Sequence, residues 1–217
     1  MVVRNAAVAK NNPVMGCALA QKGMIKMELM EAIRGRRSVR KFKPDPIPRE
    51  DLEEIIDAGL CAPSGQNLQP WYFVALTKKE DLAYLFSELG TTAFSHRKEL
   101  EARFKNHPEV VEETMEFMSA MGGAQTIILG FLNKPDYSED ILPSCVESVS
   151  AAMENMCLAA YDKGIGSCWV EAVVRAGNAL GSHFAPSHGK LIGAIVLGYP
   201  DMEPRPIKKK GARYVIR

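Results

Sequence analysis

Ser144–Gly164 reads SCVESVSAAMENMCLAAYDKG, with small and apolar residues on several faces of one helical repeat. The pattern starts at Pro143 and closes at Gly164. A helix with so little charge belongs deep in a fold or at an interface between chains, because a solvent-facing helix keeps a polar side. Either placement needs further layers around it, so the flanking segments decide the architecture.

Beyond Gly164 come IGSCWV (165–170), a helical pattern over Glu171–Phe184, and the apolar run LIGAIVLGYP (191–200), which reads as a strand. On the other side, TIILGFL (126–132) and the aromatic-rich WYFVALT (71–77) read as buried strands. Helical spacing predicts helices over Lys79–Leu89 and over Ser95–Met121, the latter interrupted near Pro108. REDLEEIIDAGL (49–60) places Leu52, Ile55, Ile56 and Leu60 on one face with its acids early, after Pro48. MELMEAIR (27–34) gathers Leu29, Met30 and Ile33 on a face and stops at Gly35. Helices outnumber strands but alternate with them, which predicts an α/β or α+β layered domain with helices on both faces of a small sheet.

The composition narrows the function classes. The chain has 217 residues, enough for one domain, and a formal net charge of +1, so a general attraction to nucleic acid or anionic membrane is not expected. Hydrophobic residues make up 47%, yet apolar runs such as Ile192–Tyr199 are too short to span a bilayer. Cys17, Cys61, Cys145, Cys157 and Cys168 are scattered without a C-x-x-C pair and read as thiols of a reducing cytoplasm. His96, His107, His183 and His188 show no H-E-x-x-H spacing, so no metal site is expected, and His183 and His188 are placed at the surface. Residues 1–23 lack periodicity and do not form a signal peptide; they read as an N-terminal extension to a domain over 24–217. The tail, with Lys208-Lys209-Lys210 and a short YVI, is assigned to a surface.

Two stretches could carry chemistry. GRRSVRKF (35–42) packs four cations and a hydroxyl into eight residues. Arginine forks match phosphate oxygens; a solvated loop pairing with Glu50, Asp51 or Glu53 would use the same residues. APSGQNLQPW (62–71) exposes many hydrogen-bonding groups in a stiff segment suited to a planar heterocycle, or is an ordinary helix-to-strand connection. The chain lacks G-x-x-x-x-G-K-[ST], a G-x-G-x-x-G after a strand, and G-x-S-x-G, and Cys168 beside Trp169 reads as a packed thiol. With no acid, base or nucleophile in evidence, catalysis would need a cofactor.

In order, RRSVRKF, APSGQNLQPW, GIGSCWV and LGYPDMEPRP resemble the FMN-dependent nitroreductase family, over roughly 27–210. The resemblance implies an α+β, nitroreductase-like fold: a central mixed or antiparallel sheet flanked by helices, assembled as a homodimer with two FMN sites at the interface. It implies that Arg36 and Ser38 hold the FMN phosphate within a cluster that includes Arg37, with Arg205 as a late phosphate cation and Lys208 a weaker one. Arg40 would lie near the flavin N1 and O2 edge. Pro63, Ser64, Gly65 and Asn67 would touch the isoalloxazine, in part from the partner subunit. Val170, Glu171 and Ala172 would bring a backbone amide near flavin N5; family members often carry glycine where Ala172 stands. No side chain is implied as catalytic.

The implied reaction is ping-pong: NADH or NADPH reduces the flavin, and a small-molecule electron acceptor, such as a nitroaromatic or quinone, reoxidises it. A specialised dehalogenation or substrate oxidation, and a low-turnover flavin-binding sensor or carrier, are the alternatives. Lid residues would fall in Thr91–Met121. The long, little-charged helix would pack at the dimer core through Ala151, Ala152, Met153, Met156, Ala159 and Ala160, although the buried core of a single chain fits its composition equally well.

Overall fold

The computed structural model describes residues 27–204, 206, 211 and 213–217. Arg205, Lys208 and the extension before 27 lie outside them.

Four strands form the sheet: β1 (Trp71–Leu76), β2 (Thr126–Leu132), β3 (Gly166–Val170) and β4 (Leu191–Gly198). Their order is β1-β2-β4-β3 and every pairing is antiparallel, so of the two expected sheet types the antiparallel one forms. β2 and β4 are central and covered on both faces, which is why they read as unbroken apolar runs. Alternate residues face opposite ways. Ile127, Leu129, Phe131, Ala194 and Val196 join the core beneath α3 (Lys79–Arg103), α4 (Pro108–Ala120) and α6 (Gly177–Phe184). Ile128, Leu132, Ile195 and Leu197 join the core beneath α2 (Arg49–Leu60) and α5 (Leu142–Asp162).

The low charge of α5 therefore has an explanation within one chain. Val149, Ala152, Met153, Met156, Cys157 and Ala160 are all buried on the sheet and α2, while Ala151 and Ala159 are half-buried. Gly130 and Gly193 pair across β2 and β4 and leave a hollow beneath α5. Met153 fills it: a Cβ added to Gly130 would sit 3.3 Å from its sulfur, and one added to Gly193 3.2 Å from its methyl. After Asp162 the chain turns through Gly164, where Gly164 N–H donates to Tyr161 O and Ile165 N–H to Ala160 O, and β3 begins at once.

Three local expectations change. The helix read as ending at Leu89 continues to Arg103, making α3 25 residues long. The buried stripe Leu82, Leu85, Leu89, Ala93 passes through Gly90, and this packing outweighs the roughly 1 kcal/mol propensity cost of one glycine. The pattern over Glu171–Phe184 is a 3-10 turn (Ala172–Ala176) followed by α6, the turn opening with Val174 N–H to Glu171 O. In α1 (Leu29–Gly35), Ala32 is the buried residue, whereas Leu29, Met30 and Ile33 are 65%, 50% and 48% exposed. Their apolar face has no counterpart within the described residues of the chain.

Candidate functional site

The basic stretch follows α1 directly and runs along the outer edge of β3. Val39 N–H donates to Ser167 O at 2.9 Å, and Ser38 bridges Ser167 in parallel. Phe42 N–H donates to Gly122 O, Lys43 N–H to Tyr199 O, and Asp201 N–H to Lys41 O. The stretch is thus an ordered rim on the sheet's edge strand. Its side chains divide between the core and the outside. Val39 and Phe42 are buried in the core. Arg36 and Ser38 are half-buried and Arg40 is exposed.

The side chains settle the earlier choice of partners. Arg36 Nε lies 3.3 Å from Glu154 Oε1 of α5, and Lys41 Nζ 3.2 Å from Asp201. Neither uses Glu50, Asp51 or Glu53; Asp51 binds Lys163 and Glu53 binds Arg49. Arg37 turns back on α1, donating to the carbonyls of Arg34 at 2.6 Å and Arg36 at 2.7 Å, so it caps the helix end. Arg36, Ser38 and Arg40 gather near Cys168. Burial raises that thiol's pKa, while Arg40, Ser38 and Arg36 pull it the other way. Burial pushes the neighbouring Cys157 thiol up to about 11.

Beside the rim lies a cavity of about 520 Å³, lined by Arg37, Val39, Tyr161, Gly166, Ser167 and Pro200 among others. Ser167 is buried and its hydroxyl lies beside the Cys157 thiol, which it helps to hold against the upward push of burial. An edge carrying the Arg36 and Arg40 guanidinium groups and the Ser38 hydroxyl fits a phosphorylated cofactor, whose oxyanions accept from such groups.

Val170, Glu171 and Ala172 lie at the far end of the same strand. Glu171 is four residues from Ser167, about 13 Å at strand spacing. Val170 is buried, Glu171 exposed and Ala172 half-buried. The edge of β3 thus carries cationic side chains at its start and free-edge backbone at its end.

Pro63, Ser64, Gly65 and Asn67 do not join this group within one chain. Their loop precedes β1 on the opposite edge of the sheet, three strand spacings or about 14 Å away. The loop is built stiffly on the start of α5. Gly65 N–H donates to Ser148 Oγ at 3.3 Å, Ser148 Oγ to Ser144 O at 2.7 Å, and Gln69 N–H to Ser64 Oγ at 3.0 Å. Gln66, Asn67 and Gln69 all adopt positive φ, at 54°, 54° and 46°. Left-handed backbone at three non-glycine residues in four positions stores strain that marks functional loops.

Sequence reasoning missed three residues around the rim. Glu154 orients Arg36, and its only signal was a lone acid amid the uncharged centre of α5. Met202 Sδ accepts the Arg40 N–H at 3.2 Å. Gly122, at φ +65°, lies so close that a Cβ there would come within 2.2 Å of Arg40 O. Its signal was the Gly122-Gly123 pair closing α4. His183 is exposed, as expected, and His188 half-buried; they stack on Tyr84 and Tyr72 at centroid distances of 3.9 and 3.6 Å. Among the described residues, no cluster of His, Cys, Asp and Glu could hold a metal, and no helix is long and apolar enough to cross a membrane.

Comparison with known proteins gives concordant results. The nitroreductase family model matches residues 33–199. An NADPH-flavin oxidoreductase of Vibrio harveyi is 28% identical over 192 residues, covering 86% of this chain and 72% of that protein. A 4-nitrobenzoate reductase of Nocardioides is 26% identical over 204 residues, covering 82% and 83%. A crystal structure of a Bacteroides fragilis nitroreductase with bound FMN superposes with a TM-score of 0.68 at 27% identity, covering 88% of this chain and all of that one.

Proposed function

The chain belongs to the nitroreductase family, and on that premise we propose that it is an NAD(P)H-dependent FMN oxidoreductase whose cofactor lies along the outer edge of β3. The observation that carries this reading is the Ser38–Ser167 bridge, which sets Ser38, between Arg36 and Arg40 in the chain, beside the start of the strand that leads into Glu171 and Ala172. When bound, FMN would supply the redox chemistry of a ping-pong cycle between NADH or NADPH and a nitroaromatic, a quinone or a related conjugated electrophile.

The protein's part is binding, orientation and potential. Arg36 and Ser38 hold the phosphate, Arg36 being steadied by Glu154 at its Nε. Arg205 and Lys208 are proposed as further phosphate cations. Arg40 places positive charge beside the pyrimidine edge of the ring, where it favours added negative charge. The Glu171–Ala172 backbone offers an amide toward N5, and Val170 anchors it in the core. The Ala172 methyl narrows the space over the ring relative to glycine.

The site is completed by a second copy. The strained Pro63–Asn67 loop is too far from its own Arg36–Ser38 rim and reaches the ring of a partner. The exposed Leu29, Met30 and Ile33 of α1 provide apolar surface for such an association.

The test is spectroscopic. The protein reconstituted with FMN should retain flavin through gel filtration as a dimer, bleach anaerobically with NADH or NADPH, and recolour with an acceptor panel. A chain that releases all flavin would sink the reading; one that binds flavin but neither bleaches nor recolours is a carrier, not a reductase.

A further inference from the structure

The connection from β2 to α5, residues 133–141, begins beside the loop that precedes β1. Trp71 pairs with Leu132, so the next rung of that ladder joins Pro70 to Asn133. Asn133 N–H donates to Pro70 O at 2.9 Å, but proline has no N–H with which to continue the ladder. Asn133 extends it with its side chain instead, Nδ2 donating to Gln69 O at 3.3 Å. Tyr137 Oη in turn donates to Asn133 Oδ1 at 2.7 Å. A carbonyl oxygen only accepts, so the Asn133 amide gives its Nδ2 to Gln69 and turns its Oδ1 to the phenol.

Gln69 is one of the three loop residues at positive φ, 46°. A non-glycine residue keeps such a backbone only where its surroundings hold it. Here Asn133 grips the Gln69 carbonyl while Ser64 Oγ accepts the Gln69 N–H at 3.0 Å. The Gln69 side chain carries the constraint outward, its Nε2 donating to Asn67 Oδ1 at 3.0 Å, which leaves Asn67 Nδ2 facing out as a donor. At the other end Tyr137 is half-buried against the apolar cluster beneath α2 and α5, and burial raises its pKa, so the hydroxyl keeps its proton. One series of contacts thus runs from the core through Tyr137 and Asn133 to the exposed tip of the loop.

We propose that Asn133 and Tyr137 are positioning residues for the flavin of the partner subunit: they fix the Gln69 backbone, and with it the Asn67 amide that meets the ring across the interface. A loop already held in its binding conformation loses less freedom when the ring arrives, so the series raises flavin affinity without touching the flavin. The inference rests on the two-chain site proposed above, and its experiment separates the two.

Asn133→Asp keeps the shape and the acceptor for Tyr137 but removes the donor to Gln69 O; Tyr137→Phe removes one hydroxyl. FMN affinity is measured by fluorescence titration, and the urea midpoint of the flavin-free protein reports folding. Asn133→Asp should bind FMN about three- to tenfold more weakly and Tyr137→Phe about two- to threefold, the scale of one hydrogen bond. The deciding species is a mixed dimer, isolated through two different tags, with Arg36→Ala on one chain and Asn133→Asp on the other. One of its sites joins an intact rim to an intact loop, and the other joins both lesions. Half of the sites should therefore show wild-type affinity, an outcome that damage confined to the altered chain's own site does not give. A mixed dimer with no site of wild-type affinity overturns the inference, as does unchanged affinity in both folded single variants. If Asn133→Asp does not fold, Tyr137→Phe takes its place in the mixed dimer. Wild-type protein that takes up no FMN, or holds it as a monomer, overturns the reading beneath.

Discussion

Arg36 Nε and Glu154 Oε1 lie 3.3 Å apart, joining the basic rim to the middle of the central helix α5. The carboxylate occupies one edge of the guanidinium and leaves its terminal amino groups as donors for an oxyanion. Arg36→Ala should weaken FMN retention by about tenfold or more, the scale of a charge-assisted hydrogen bond. Arg36→Lys should recover only part of this, because the fork is lost. Fluorescence titration with FMN measures both, with Lys79→Ala as an exposed control; equal affinity in all variants contradicts the phosphate assignment.

Gly122→Ala should disturb Arg40 without touching it chemically. The added Cβ would come within 2.2 Å of Arg40 O, and the backbone there stands at φ +65°. Clash and left-handed strain together should cost about 1–3 kcal/mol, read from the urea midpoint, with weaker FMN binding. An unchanged midpoint would show that the turn relaxes freely.

Met153→Ala removes the side chain seated over Gly130 and Gly193. Met153 is fully buried between α5 and the sheet, so the cost should be about 2–5 kcal/mol. Gly130→Ala in the same background should recover some of this loss, since a Cβ there meets Met153 Sδ at 3.3 Å and would partly fill the vacated hollow. Thermal melts of the single and double variants test the pair.

Cys157 gives a pH prediction. Burial raises its thiol from the ordinary 9.0 to about 11. The folded state therefore holds its proton when the unfolded state has released it, so stability falls as pH rises from about 9 to 11 and is fully retained below 9. The loss should be on the order of 2 kcal/mol. It is measured as the difference between wild type and Cys157→Ala in urea midpoints at pH 8 and pH 10.5. At pH 8 the native thiol should also resist alkylation and become reactive only in urea; rapid native labelling of Cys157 would contradict its burial.

Much of the fold was legible because its signals are local. The unbroken apolar runs of β2 and β4, the helical face of Leu52, Ile55, Ile56 and Leu60, and the turn at Gly164 each lie within a few residues of chain. The Gly90 break was misread because a core stripe continuing to Ala93 outweighs one residue's propensity. The exposed apolar face of α1 shows the same limit: periodicity reports which residues share a side, and not whether this chain covers that side.

The residues of the rim were legible as types, since guanidinium groups and hydroxyls in GRRSVRKF suit an oxyanion wherever they are held. Their arrangement was not. Which strand the rim joins, that Glu154 rather than Glu50 or Glu53 steadies Arg36, and that Asn133 meets Gln69 are contacts between residues 64 to 129 positions apart or on separate elements. The amino-acid order by itself determined the elements, the layered class and the chemical character of the site. Tertiary structure alone decided the antiparallel order β1-β2-β4-β3, which puts the rim beside β3 and the Pro63–Asn67 loop at the opposite edge. The physical reason is that apolar periodicity encodes the need for burial without naming the partner, and partners are chosen only when the whole core packs at once.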